Sequence, residues 1–200
     1  MCPAPWLRDE SSYSDVLLES ADLTDEVARD CTLDQVRFRN VSLVATGLNG
    51  RTTLTDVLFE GSDLAGAVWN DVSLLRVRFV DCRLSGFSIN TSRLVDVDVS
   101  GCVGECPSFF ESEGRRWLVK ASQLPELDCR GLRLSNARFE QCELTKSDWG
   151  HAKLEQVSFV ACQLEGLGGA DGLSRATVDT ATLLSVAPAL ARHLGMTVTP

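Results

Sequence analysis

Large apolar side chains recur in this chain at every fifth residue, a period that belongs neither to an α-helix nor to a strand. From Leu54 the series runs Leu54, Phe59, Leu64, Trp69, Leu74, Phe79, Leu84, Ile89, Leu94, Val99, and it resumes as Leu134, Phe139, Leu144, Trp149, Leu154, Phe159, Leu164. An earlier stretch reads Leu18, Leu23, Ala28, Leu33, Phe38, Leu43, Leu48, one position out of phase, which places a single inserted residue within 49–53. Two residues before most of these stands a small or branched side chain: Ala21, Cys31, Val36, Val57, Ser62, Ala67, Val77, Cys82, Cys142, Ala152, Val157, Cys162. Helices repeat near 3.6 and strands at 2. A fixed period sustained over most of a chain marks a solenoid, in which each unit buries its face against the next turn.

A longer period sits on the first. Once the insertion is allowed for, Phe38, Phe59, Phe79, Phe139 and Phe159 share one column, and Trp69 and Trp149 lie four steps of twenty apart. Four pentads therefore make one coil of twenty residues with four flat sides. Equivalent side chains stack at about 4.8 Å, as in a parallel ladder. SADLT at 20–24 and SDLAG at 62–66 then resemble the A(D/N)LXX unit of the pentapeptide-repeat family, and the resemblance extends over 13–166. It implies an all-β solenoid, a right-handed quadrilateral parallel β-helix. Val, Cys and Ser often stand where that family uses Ala, so some coils are expected to be slightly widened.

Residues 100–131 look like a break, with Cys106-Pro107, Phe109-Phe110 and Arg115-Arg116-Trp117. The phase nevertheless survives, because Phe79 and Phe139 are three whole coils apart. The column Ser62, Cys82, Cys102, Ser122, Cys142, Cys162 also runs straight through. Phe109, Val119 and Leu124 fill large positions while Gly104 and Gly114 do not. A continuous helix with one irregular coil near 103–118 is expected, poorly packed or bulged outward.

Solenoids need capped ends. Pro3, Pro5, Trp6 and Leu7, within 1–12, are candidates for the front cap. At the back, 167–179 forms a turn-rich linker and last turn. Then 180–200 changes to helical spacing, with Asp179 or Thr180 as N-cap, Gly195 as C′, and Pro188 either kinking one helix or starting a second. One narrow helix cannot hide all its aliphatics against a coil end. By resemblance to quinolone-resistance members of the family, Leu183, Leu184, Leu190, Leu194, Met196 and Val198 are the candidate homodimer interface; the alternative is a helix that only caps.

Composition removes other classes. With 19 Lys+Arg against 28 Asp+Glu, the net charge is −9 and the pI near 4.7. Such a chain is repelled by DNA, RNA and anionic membrane, so no direct nucleic-acid or membrane partner is expected. The start, MCPAPWLRDE, carries no export signal, which points to the cytoplasm and to eight Cys held as thiols. Cys102 and Cys106 (CVGEC), with Cys82 and Cys129 within reach, suggest a zinc site by residue type. The interior Ser/Cys column explains most of them as small fillers, and only one loose pair is present. His151 occupies an outward position and His193 the terminal helix, and no nucleophile–base pair is placed. No cofactor, metal or catalytic residue is expected.

Residue number modulo twenty assigns every outward side chain to a side. Over 57–166, the two sides carrying the Leu64 and Trp69 columns hold nine acids: Asp63, Asp71, Glu105, Glu111, Glu126, Asp128, Glu143, Asp148 and Glu165. Against them stand only Arg83, Arg130 and Lys146, a net of −6. The other two sides hold seven acids and nine bases, a net of +2. One long edge is therefore acidic. The resemblance to gyrase-protecting pentapeptide proteins implies a rod that imitates DNA in the groove of DNA gyrase or another type II topoisomerase. Such a rod protects the enzyme from quinolones or from a self-made poison. The alternative is a structural or regulatory interaction module, with Phe110 and Trp117 as exposed apolar anchors.

Overall fold

Once in every five residues the backbone enters the left-handed region. From Glu10 to Ala45 and from Asp56 to Ala161, 25 non-glycine residues hold φ between 47° and 62°, joined at the same spacing by Gly50, Gly61, Gly66, Gly86, Gly101, Gly131 and Gly166. Asp is the commonest non-glycine side chain there, being one of the few that tolerate this conformation well. Each such residue turns the chain a corner, and four corners close a coil. In the computed structural model, which describes residues 6–197, about eight coils stack into a right-handed four-sided parallel β-helix.

The register is that of the columns. Ser12–Ser14 pairs with Thr32–Asp34 at a step of 20, whereas Thr32–Asp34 pairs with Thr53–Thr55 at a step of 21. Leu48 opposite Trp69 keeps the step of 21, so the extra residue lies between Asn49 and Thr53. On two adjoining sides the strands Ser73–Val80, Arg93–Ser100, Glu113–Lys120, Arg133–Glu140 and Lys153–Val160 run across the shared corner as one sheet. The Trp69 side is a four-stranded sheet continued by single bridges, and the Leu64 side is held by bridges such as Asp63 to Arg83.

Inside, Phe38, Phe59 and Phe79 stack at 4.8 and 5.0 Å with nearly parallel rings, and Phe139 and Phe159 stack at 4.8 Å. Val99 and Val119 carry the column between Phe79 and Phe139. The Ser/Cys column does more than fill space. Ser62 Oγ accepts the Val41 N–H, Ser122 Oγ the Cys102 N–H, and Thr182 Oγ1 the Cys162 N–H, at 3.0–3.1 Å, each from one coil earlier. These amides sit just past a corner, where the side chain of the next coil meets them. A buried N–H left without an acceptor costs roughly 1–3 kcal/mol, so polarity as well as size selects Ser at these positions.

The stretch expected to bulge does not. Strand Glu113–Lys120 keeps full register with both neighbours. Trp117, expected as an exposed anchor, is buried and donates its indole N–H to the Leu94 carbonyl at 3.1 Å. The reason is an exchange of volume: a Cβ on Gly114 would stand 2.7 Å from the Trp117 ring, which fills the space the glycine leaves. Leu127 and Cys129, both buried, reverse large and small in the same way. Phe110 is half-buried under the Arg130 guanidinium, 5.5 Å from the ring centre. Gly104 lies against the preceding rung, where a Cβ would stand 2.4 Å from the Leu84 carbonyl carbon.

Trp6, stacked on Tyr13 at 4.3 Å and edge-on to Phe38, covers the first coil with buried Leu7, whose amide donates to Glu26 at 2.7 Å. Pro3 and Pro5 lie outside the described residues. At the far end a 3₁₀ turn, Ala170–Leu173, closes tightly on Trp149, and any Cβ on Gly172 would strike its carbonyl oxygen at 1.9 Å. One helix, Thr180–His193, follows with Pro188 inside it. Asp179 caps it by accepting the Thr182 N–H at 2.9 Å. It ends as a Schellman motif, Gly195 N–H donating to Arg192 and Met196 N–H to Ala191. Its N-terminal end also closes the sheet edge: Asp179, Thr182 and Ser185 accept the N–H groups of Ala161, Cys162 and Leu164.

Three substitutions test this account. Thr91 is a β-branched residue at φ 48°, so Thr91→Asn is expected to stabilise the fold by about 1 kcal/mol; no rise in the denaturation midpoint would contradict the strain argument. Trp149 donates its buried indole N–H to Ser147 at 3.0 Å, whereas Trp69, with Ala67 in the same relative place, has no partner. Ala67→Ser is expected to gain about 1 kcal/mol and Ser147→Ala to lose about 1–3 kcal/mol. Urea titration of both reads the result.

Candidate functional site: an acidic edge

The nine acids of the Leu64 and Trp69 sides fall into two groups. Asp63, Asp128 and Asp148 each precede an inward side chain and bend back to accept the N–H two residues on, from Ala65, Arg130 and Gly150 at 2.9–3.0 Å. Asp63 and Asp128 are also in ion pairs, with Arg83 at 3.8 Å and with the Arg130 fork at 2.9 and 2.8 Å. Burial pushes the Asp128 carboxyl up, but the Arg130 hydrogen bonds outweigh it and hold the group below its ordinary range. Glu126 meets Cys106 and Lys146, each at 3.2 Å, and both contacts lower its pKa.

Asp71, Glu105, Glu111, Glu143 and Glu165 have neither an ion pair nor a side-chain hydrogen bond among the described residues. All but the half-buried Glu143 are exposed. Asp71 and Glu111 stand on one corner at φ 56° and 50°, two coils apart. Glu111 lies over Gly131 of the next coil, where the missing side chain leaves it room. The three bases of these sides are all taken by Asp63, Glu126 and Asp128, so six carboxylates remain uncompensated once Asp148 is counted.

The rest of the surface holds no catalytic arrangement among the described residues. His151 is exposed, with Asp171 at 3.8 Å as its one charged neighbour. No three His, Cys, Asp or Glu side chains gather as a metal site requires. Cys102 points inward and Cys106 outward, so CVGEC presents no pair. Contact with the Cys82 thiol and burial push the Cys102 thiol up, Cys162 and burial do the same for Cys142, and burial does so for Cys129. Cys102, Cys142 and Cys129 are accordingly poor nucleophiles.

The helix surface also divides. Thr182, Val186 and Ala189 are buried against the 3₁₀ turn and the last strand, while Leu183, Leu184, Leu194 and Met196 are exposed and Leu190 is half-covered. Val198 lies outside the described residues. No helix among them is long and apolar enough to cross a membrane.

Pentapeptide repeats match the sequence in eight copies, over residues 54–89 and 127–166. Over these two stretches the chain is built of the repeats that define the pentapeptide-repeat family. Among solved structures it is similar to QnrB1, a plasmid-mediated fluoroquinolone resistance protein, at 16% identity over 92% of this chain and 100% of that one, with a TM-score of 0.39. It is also similar to HetL, a pentapeptide-repeat protein involved in heterocyst differentiation regulation from the cyanobacterium Nostoc sp. strain PCC 7120. There the identity is 16%, over 84% and 87% of the two chains, with a TM-score of 0.29. No curated protein matches it in sequence. The matched repeats leave out 90–126, where Gly104, Gly114 and Trp117 depart from the pentapeptide pattern although the coils continue.

Proposed function

We propose that this pentapeptide-repeat protein is a non-enzymatic rod that binds DNA gyrase or a related type II topoisomerase in the cytoplasm. Its acidic edge takes the place of DNA in the enzyme's basic groove, and it protects the enzyme from quinolones or another topoisomerase poison. The spacing of uncompensated charge carries this reading. Asp71, Glu105, Glu111, Glu143, Asp148 and Glu165 are distributed over five coils, about 25 Å at ~4.8 Å per rung. That is roughly one negative charge per 4 Å, close to the 3.4 Å per phosphate of a single DNA strand. A cationic groove shaped for duplex DNA attracts such an edge.

The test is supercoiling by purified gyrase with and without a quinolone. The wild-type rod is expected to shift the poison's effect at micromolar concentration. The variant Asp71→Lys, Glu105→Lys, Glu143→Lys, Glu165→Lys, all outward and away from the core, is expected to lose at least about tenfold in potency while keeping its circular dichroism. An inert wild type, or a charge-reversed rod of equal potency, would overturn the proposal.

The rod acts as a two-fold homodimer through Leu183, Leu184, Leu190, Leu194, Met196 and Val198, which doubles its length to about 80 Å. Supporting this, the terminal helix presents a second apolar face after its first has met the coil end. Sedimentation is expected to give a dimer for wild type and a monomer for Leu184→Glu with Leu194→Glu; a monomeric wild type refutes the assembly.

A further inference from the structure

The Leu54 side, across the coil from the Leu64 column, has the opposite character. Elsewhere on the rod a base sits over an acid one coil away: Arg76 over Asp56, Arg116 over Asp96, Lys146 over Glu126. On this side one such pair, Arg133 over Glu113, is followed by a mismatch. Arg133, held by Glu113 at 2.8 Å, stands directly opposite Lys153 on the next rung. Like charges directly opposite on neighbouring strands destabilise a sheet, so the fold gains nothing from this placement. Arg93, Arg115, Lys153 and Arg175 have no ion pair among the described residues, against a single unpaired acid, Glu155. These side chains surround one shallow groove of about 910 Å³, bounded at its far end by Ser174 and Arg175 and lined by apolar as well as polar surface, Val95 among the apolar.

We propose that this groove is a docking surface for an acidic, partly apolar segment of a partner protein, held in extended form along the rod axis. Three observations select that occupant. The surplus of three positive charges asks for carboxylates or phosphates. The mixed lining suits a chain that alternates acidic and aliphatic side chains better than a bare sugar–phosphate backbone. A net charge of −9 opposes any long polyanion, while a segment confined to one face lies beyond the screening length, about 8 Å, from the acidic edge. Backbone groups on this face are already paired in the ladder, so recognition is by side chains and not by an added strand. The proposal concerns the side away from the topoisomerase-binding edge and does not depend on it.

The probe is a fluorescein-labelled peptide of alternating Glu and Leu, followed by anisotropy on the full chain, with a 12-base-pair duplex DNA as the competing class. Micromolar binding is expected, falling about tenfold or more between 50 and 300 mM salt, and at least tenfold in Arg115→Glu with Lys153→Glu. Arg115→Gln with Lys153→Gln is expected to be intermediate, and it serves as the reading if the reversed variant fails to fold. Absence of binding, affinity indifferent to these substitutions, or duplex DNA bound as tightly as the peptide would each overturn the assignment. The charge-reversed acidic edge is expected to leave peptide binding within about twofold, which separates this surface from the one proposed for topoisomerase.

Discussion

A left-handed residue at every fifth position is the constraint from which the rest of this molecule follows. It makes the chain turn four times in twenty residues and brings each coil back over the last. Such a conformation costs roughly 1–2 kcal/mol for an ordinary L-residue and less for Asp, Asn or Gly. Those three residues therefore crowd the corners, and Thr91 and Arg76 are tolerated because the ladder on both sides leaves the backbone no alternative. In return each coil offers its N–H and C=O groups to its neighbours, and every fifth side chain is sealed inside.

That interior was legible from sequence because it is periodic. The Phe column, the inserted residue within 49–53 and the continuity of the coils through 103–118 all follow from counting. What counting missed is exchange between columns. It reads each position against its own kind, so Gly114 looks like a hole and Trp117 like an intruder; only packing shows that one fills the other. The acceptor role of Ser62, Ser122 and Thr182 was hidden for a related reason. Size and polarity vary together in Ser, and the amides they meet become visible only when coils are stacked. A left-handed corner had a signal in the sequence, the recurrence of Asp, Asn or Gly two residues after about half of the large apolar side chains.

Composition says less about the surface, because charge counts ignore partners. The net of −6 on the acidic edge is unchanged by structure, yet its meaning shifts. Asp63, Asp128 and Asp148 stabilise their own turns and Glu126 meets a lysine. The carboxylates left for another molecule are those at corners and in the positions just past the inward residue. The terminal helix shows the same division of labour. One face supplies acceptors and packing to the last coil, closing an edge that would otherwise template aggregation, and the other face is left apolar.

Two charged surfaces of opposite sign can coexist on so thin a rod because the coil keeps them apart. Facing sheets are about 10 Å apart at the backbone, and outward side chains add several ångströms on each side. The charged groups are thus separated by more than the screening length of about 8 Å at physiological salt. Each side is electrostatically independent of the other, with Phe59, Phe79 and Phe139 fixed between them. A stacked interior of this kind leaves outward residues nearly independent of fold stability, as the unpaired Arg115 and Glu105 on opposite sides illustrate. Binding properties are therefore set coil by coil, by whether a given base has been placed above an acid or left without one.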